Sequence, residues 1–156
     1  MDVIKQASTV FFPEVIEWLK AENERDGTGF YCNRNVIERL FSRGDGLCYM
    51  VAGRTVGFVV FQMYIDGGEI HIIEIEPSFR QQGLGSQLLM AGVEALRGKG
   101  AKYVEVECTS LEGEALCRSQ LFEKYIDPVN YKNEDDNPIL RRYFSEWRPS
   151  PPNPWA

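Results

Sequence analysis

Glu74-Ile75-Glu76-Pro77-Ser78-Phe79-Arg80-Gln81-Gln82-Gly83-Leu84-Gly85-Ser86 is the most informative stretch of this 156-residue chain. A β-branched run (residues 69–75) precedes it, and a helix-period pattern follows, with Leu84, Leu88, Leu89, Val93 and Leu96 on one side. Gly83 and Gly85 let the backbone curl so that successive N–H groups converge on an anion. The start of the following helix adds partial positive charge, and Arg80 adds a full one. Such a turn suits a pyrophosphate. A plain strand-to-helix connection is the competing reading. A Walker loop is excluded because no Gly-Lys-Ser/Thr follows. A dinucleotide fingerprint fails as well: Leu88 stands where a third glycine belongs, and residues 76–82 separate the first glycine from the strand.

Working outward, helices are predicted over residues 10–26, starting with Phe11, Val15, Trp18 and Leu19 at helical spacing, and from Asn33 to about residue 42. Strands are predicted at 47–52, 55–64 and 69–75, with turns at Gly53-Arg54 and Asp66-Gly67-Gly68. After the helix at 82–97 come a strand at 103–107, a short helix at 112–119, and strands at 122–125 and 139–144. Preceded by a weak N-terminal strand, this order predicts a mixed α/β fold. Its central sheet is mostly antiparallel, with one β-α-β crossover and helices on both faces. Residues 1–146 read as one domain, and the proline-rich residues 147–156 as an extended tail.

Composition narrows the function. Lys and Arg number 17 against 23 Asp and Glu, so no excess positive field attracts nucleic acid or an anionic membrane surface. Cys32, Cys48, Cys108 and Cys117 form no knuckle, and one His completes no Cys/His cluster, so no metal site is expected. Scattered thiols fit a reducing compartment, and the polar N-terminus does not read as a signal peptide. A cytoplasmic location is the expectation.

Arg80-Gln81-Gln82-Gly83-Leu84-Gly85 resembles the R/Q-x-x-G-x-G/A signature of the GNAT superfamily of acetyl-CoA-dependent N-acetyltransferases. The element order is similar too, over roughly residues 47–144. Residues 79–83 with Ser86 look especially like the turn of arylalkylamine N-acetyltransferases. The resemblance implies that the amides of Gln81, Gln82, Gly83, Leu84, Gly85 and Ser86, with Arg80, hold the CoA pyrophosphate. It implies further that the backbone at Glu74 and Ile75 pairs with the pantetheine arm and that an amide there polarises the thioester carbonyl.

An amine acceptor is mostly protonated at neutral pH and must lose a proton before it attacks. Strand alternation puts Glu69, His71 and Ile73 on one face and Ile70, Ile72 and Glu74 on the other. Counting back from Arg80, position 69 matches the catalytic Glu of histone acetyltransferases in the superfamily. Positions 69 and 71 match a His pair in arylalkylamine acetyltransferases. Glu69 and His71 are therefore the candidate base, against the alternative of two polar residues on a wet strand face. Many members carry an N-x-x-A-x-x-L-Y-x-x-x-G-F pattern whose Tyr donates to the sulfur. Here Ser110 stands at the Asn position and Cys117 at the Tyr position. Cys117 is the candidate acid and Ser110 a candidate cofactor contact, although a buried Cys is more often only a small apolar side chain. Tyr125, Tyr131 and Tyr143 are substitutes for the missing Tyr.

In this fold the acceptor groove is lined by the first two helices and their loop. Glu22, Glu24 and Asp26 beside Phe30 and Tyr31 suit a cation, as do Glu134-Asp135-Asp136. Solvated acids and core-seeking aromatics are the competing reading. The expectation is acetyl transfer by direct attack in a ternary complex, to a small cationic amine. Its alternatives are a protein lysine or N-terminal acetyltransferase and a catalytically weak CoA-binding module. A homodimer remains open.

Overall fold

The computed structural model describes residues 2–126 and 137–144. Tyr131, the Glu134-Asp135-Asp136 run and the 147–156 tail lie outside them. The chain forms two compact units: Met1–Gln62 with Ile70–Ala95, and Met63–Glu69 with Leu96–Ala156.

The first unit contains β1 (Val3–Gln6), α1 (Phe12–Asp26), α2 (Arg34–Ser42), β2 (Gly46–Val51) and most of β3 (Arg54–Met63), β4 (Gly67–Ile75) and α3 (Leu84–Gly98). Its strands lie in the order β1-β2-β3-β4. The β1–β2 and β2–β3 pairs are antiparallel, the second with a register shift between Tyr49 and Met50. Alternation along β3 feeds two cores. Phe58 and Val60 join Val15, Trp18 and Leu19 of α1 and Ile37, Leu40 and Phe41 of α2. Gly57 and Val59 face α3 instead, at Leu88 and Gly92. Helices therefore cover both faces, as the buried stripes of α1, α2 and α3 require.

Two hairpin turns lie one or two residues away from their expected places. Val51 pairs directly with Arg54, so the turn is Ala52-Gly53 and Arg54 already belongs to β3. Both turn residues are left-handed, with φ of +50° and +78°. That geometry suits the right-handed strand twist even though Ala52 is not glycine. In the next hairpin the Tyr64 amide donates to the Gly67 carbonyl (2.8 Å), making Ile65-Asp66 the turn. Gly67 and Gly68 are strand residues closely approached by Tyr103 and Leu96.

The second unit holds β5 (Tyr103–Glu107), α4 (Leu111–Ser119), β6 (Glu123–Lys124) and β7 (Ile139–Tyr143), with strand order β5-β7-β6 and antiparallel pairing throughout. Arg141 of β7 organises it. The Arg141 guanidinium lies 4.0 Å from the Tyr103 ring centre and 3.6 Å from that of Tyr125, and it pairs with Glu105 at 2.8 Å.

Candidate active site

The glycine turn is built as an anion nest. A single 3-10 turn at Pro77–Phe79 follows β4. Gln81 then takes a left-handed φ of +63°, rare for a residue with a side chain, and Gly83 takes +82°. No atom lies within 4 Å of where a Gly83 side chain would start, so this side of the turn is open. The first bond of α3 runs from the Gln87 amide to the Gly83 carbonyl (3.2 Å). The amides of Leu84 and Gly85 lie ahead of that first bond, at the positive end of the helix. The helix begins at Leu84, two residues later than predicted, because Gln81 to Gly83 are spent on the turn. Open space, left-handed backbone and the first amides of a helix fit a diphosphate.

Arg80 is placed differently from the amides beside it. Its Nε donates to the Ile75 carbonyl (2.9 Å), and its Nη2 bonds the carboxylates of both Glu22 and Glu74. The guanidinium thus braces the end of β4 against α1, and its charge is shared by two carboxylates. Glu22 is 1% exposed, and its Oε1 has no hydrogen-bond partner. That oxygen occupies the place a side chain at Gly29 would take. Glu74 is 10% exposed. Burial raises its carboxyl to about 7, reinforced by the charge of Glu22 and opposed by Arg80.

Glu22 reads as a solvated acid at the end of α1, whereas the structure buries it. The signal was its spacing: it follows Val15, Trp18 and Leu19 on the apolar stripe of α1, where an unpaired carboxylate would be costly. The rest of the loop is less unusual. Asp26 accepts from the Thr28 amide (3.0 Å) and hydroxyl, and these bonds lower its carboxyl. Glu24 is exposed. Phe30 and Tyr31 pack against the α1/α2 core, and Arg34 covers Tyr31.

On β4 the predicted alternation breaks. Ile70 faces α3 at Gly92, whereas Ile72 joins the core under α1 and α2. Two residues apart on a regular strand share a face, so the strand is irregular at His71. Beyond it, Ile75 faces α3 and Glu74 faces α1. His71 is half-buried, with Nε2 2.8 Å from Gln62 Oε1. With Gln62 Oε1 accepting, Nε2 carries the hydrogen of that bond. Glu69, in the second unit, bonds the Tyr64 hydroxyl, and burial together with that carboxylate raises the phenol.

Ser110 caps α4, its hydroxyl accepting from the Gly113 amide at 3.0 Å. Cys117 is buried on α4 and donates to the sulfur of Cys108. That bond and burial push the Cys117 thiol well above the ordinary thiol range, while the same bond lowers Cys108. A donor weaker than the CoA thiol is poorly suited to protonate its thiolate. Of the substitutes, Tyr143 accepts from Arg141 (3.0 Å), and Tyr125 lies under the same guanidinium.

Residues 12–118 match the model of the acetyltransferase (GNAT) family. The chain belongs to the GNAT family. This GNAT chain is an acyltransferase, and acetyl-CoA is its co-substrate. None of the curated proteins matches it. Among solved structures it is similar to PaiA N-acetyltransferase of Thermoplasma acidophilum in complex with coenzyme A, at 12% identity. That match has a TM-score of 0.72 and covers 92% of this chain and 99% of that one. Ard1 of Thermoplasma volcanium gives 20% identity and a TM-score of 0.69, covering 91% and 97%. The Drosophila melanogaster polyamine N-acetyltransferase that forms N-acetylagmatine gives 12% and 0.71, covering 92% and 100%. These likenesses establish the GNAT fold expected from the sequence. Among the described residues, no helix is long and apolar enough to cross a membrane.

Proposed function

We propose that this GNAT protein transfers acetyl from acetyl-CoA to the primary amine of a small cationic molecule by direct attack in a ternary complex. The observation that carries the acceptor class is the pairing of two carboxylates, the buried Glu22 and the partly buried Glu74, with one guanidinium. This arrangement leaves negative charge on the α1 side of β4, and a cation is attracted to it. The polyamine acceptor named for the Drosophila structure agrees with that charge.

In this reading the amides from Gln81 to Ser86 hold the pyrophosphate. The backbone at Glu74 and Ile75 meets the pantetheine arm, with Arg80 bracing that segment through the Ile75 carbonyl. Glu69 and His71 carry the proton released during turnover away towards solvent. Cys117 is assigned no proton donation, and the CoA thiolate takes the proton shed by the attacking nitrogen. Incubation with acetyl-CoA and a panel of amines and peptides, followed by free-thiol release, tests the reading. Release with small cationic amines supports it. Release with peptides alone favours a protein acceptor, and CoA binding without release favours a binding module.

A further inference from the structure

The proton balance of this reaction begins with a group that touches the amine, and the geometry points to the side chain of Glu74 as that group. The inference rests on the acetyl-transfer reading above. In that reading the backbone of Glu74 and Ile75 lies along the pantetheine arm, so the Glu74 side chain springs from the segment that holds the thioester. β4 turns this side chain towards α1, the helix whose loop is the expected acceptor wall. It is neither free in solvent nor sealed: Glu74 is 10% exposed, against 1% for Glu22.

The charged groups facing Glu74 are Glu22 from α1 and Arg80 from the β4–α3 turn. Two carboxylates bonded to one Nη2 cannot both be fully balanced by a single positive charge. The site is therefore short of one cation or one proton, and an alkylammonium supplies either. Its carboxyl, raised to about 7, is poised near neutral working pH.

An N–H bond of the acceptor ammonium breaks, its electron pair stays on nitrogen, and the proton joins a Glu74 oxygen. The nitrogen attacks the thioester carbonyl and forms the C–N bond. The C–S bond breaks with its pair on sulfur, and the thiolate takes the second proton from nitrogen. Glu74 then returns its proton to solvent.

The test is the pH profile of kcat/KM from pH 5.5 to 8.5 with agmatine, spermidine and tryptamine as probes. Wild type, Glu74→Gln, Glu74→Asp, Glu22→Gln and His71→Gln are compared, with CoA affinity and melting temperature measured for each. The expected result is an acid limb near neutrality in wild type that vanishes in Glu74→Gln with a loss of about 100-fold or more. Glu74→Asp retains the limb at reduced rate. In Glu22→Gln the limb moves to lower pH, because the charge that helps to raise the Glu74 carboxyl is gone, a change that a purely structural role would not produce. A limb that persists in Glu74→Gln and disappears in His71→Gln overturns the inference while leaving acetyl transfer standing. So does a Glu74→Gln rate within threefold of wild type. If Glu74→Gln no longer binds CoA, the Glu22→Gln profile decides, and an unshifted limb rejects Glu74. No wild-type turnover of any probe overturns the underlying reading and the inference with it.

Discussion

The carboxylates of Glu22 and Glu74 meet on the same nitrogen, Nη2 of Arg80, although 52 positions separate them in the sequence. One comes from the apolar stripe of α1 and the other from the end of β4, so this junction ties α1 to the segment preceding the glycine turn. Arg80→Gln leaves the buried Glu22 and the partly buried Glu74 carboxylates facing each other without their cation. Removing one member of a buried ion pair is strongly destabilising, and with Arg80 partly exposed the expected cost is on the order of 3 kcal/mol. Chemical denaturation checks it. The cost is larger at pH 8 than at pH 5, where a proton on Glu74 relieves the repulsion.

Glu74 also makes stability depend on pH. Its folded carboxyl is raised from the usual 4.5 to about 7, so the folded state holds a proton that the unfolded chain has already released. The stabilisation is fully present below the unfolded value and is lost as pH rises through about 7, by roughly 3 kcal/mol in total. Denaturation midpoints measured from pH 4.5 to 8 should fall in wild type over this window. In Glu74→Gln the fall should be markedly smaller.

The turn at Ala52-Gly53 holds a non-glycine residue at φ +50°. Asn tolerates that region better than Ala, and Asn-Gly is the preferred pair for this hairpin geometry. Ala52→Asn should therefore stabilise by about 0.5–1 kcal/mol, read as a higher melting temperature with unchanged acetyl transfer.

The thiols separate by environment. Cys32 is exposed, whereas Cys48, Cys108 and Cys117 are buried, and burial pushes Cys48 up to about 12. Thiol-specific labelling of the folded protein should modify Cys32 first. Cys117→Ala should lower stability by about 1–2 kcal/mol through lost packing and leave turnover within threefold. A far greater loss of turnover in a folded Cys117→Ala variant would restore the thiol as an acid.

Gly83 joins a φ of +82° to an open flank. Gly83→Val adds backbone strain of about 1–2 kcal/mol and fills the space assigned to phosphate. CoA affinity should fall by tenfold or more, measured by calorimetry.

Much of this was legible in the sequence because local rules and tertiary packing agree. The stripe Leu84, Leu88, Leu89, Val93 and Leu96 marks α3, and the run from Tyr103 to Glu107 is β5 with the same bounds. The glycine turn was readable because its chemistry is local. What sequence spacing did not reveal comes from contacts between distant segments. Strand periodicity assumes a regular ladder, and the irregularity at His71 reverses the facing of the residues beyond it. Glu22 reads as one of three acids before a loop until Arg80 arrives from 58 positions away. The Cys108–Cys117 bond changes the acidity of the thiol that the family pattern had singled out.

The most direct test of the central claim is free-thiol release from acetyl-CoA in a mixture of small cationic amines and lysine-bearing peptides, with acetylated products identified by mass. Stoichiometric thiol release, with the acetyl group on a small amine, is the expected result. Tight CoA binding with no thiol released, or acetyl found only on peptides, would contradict it.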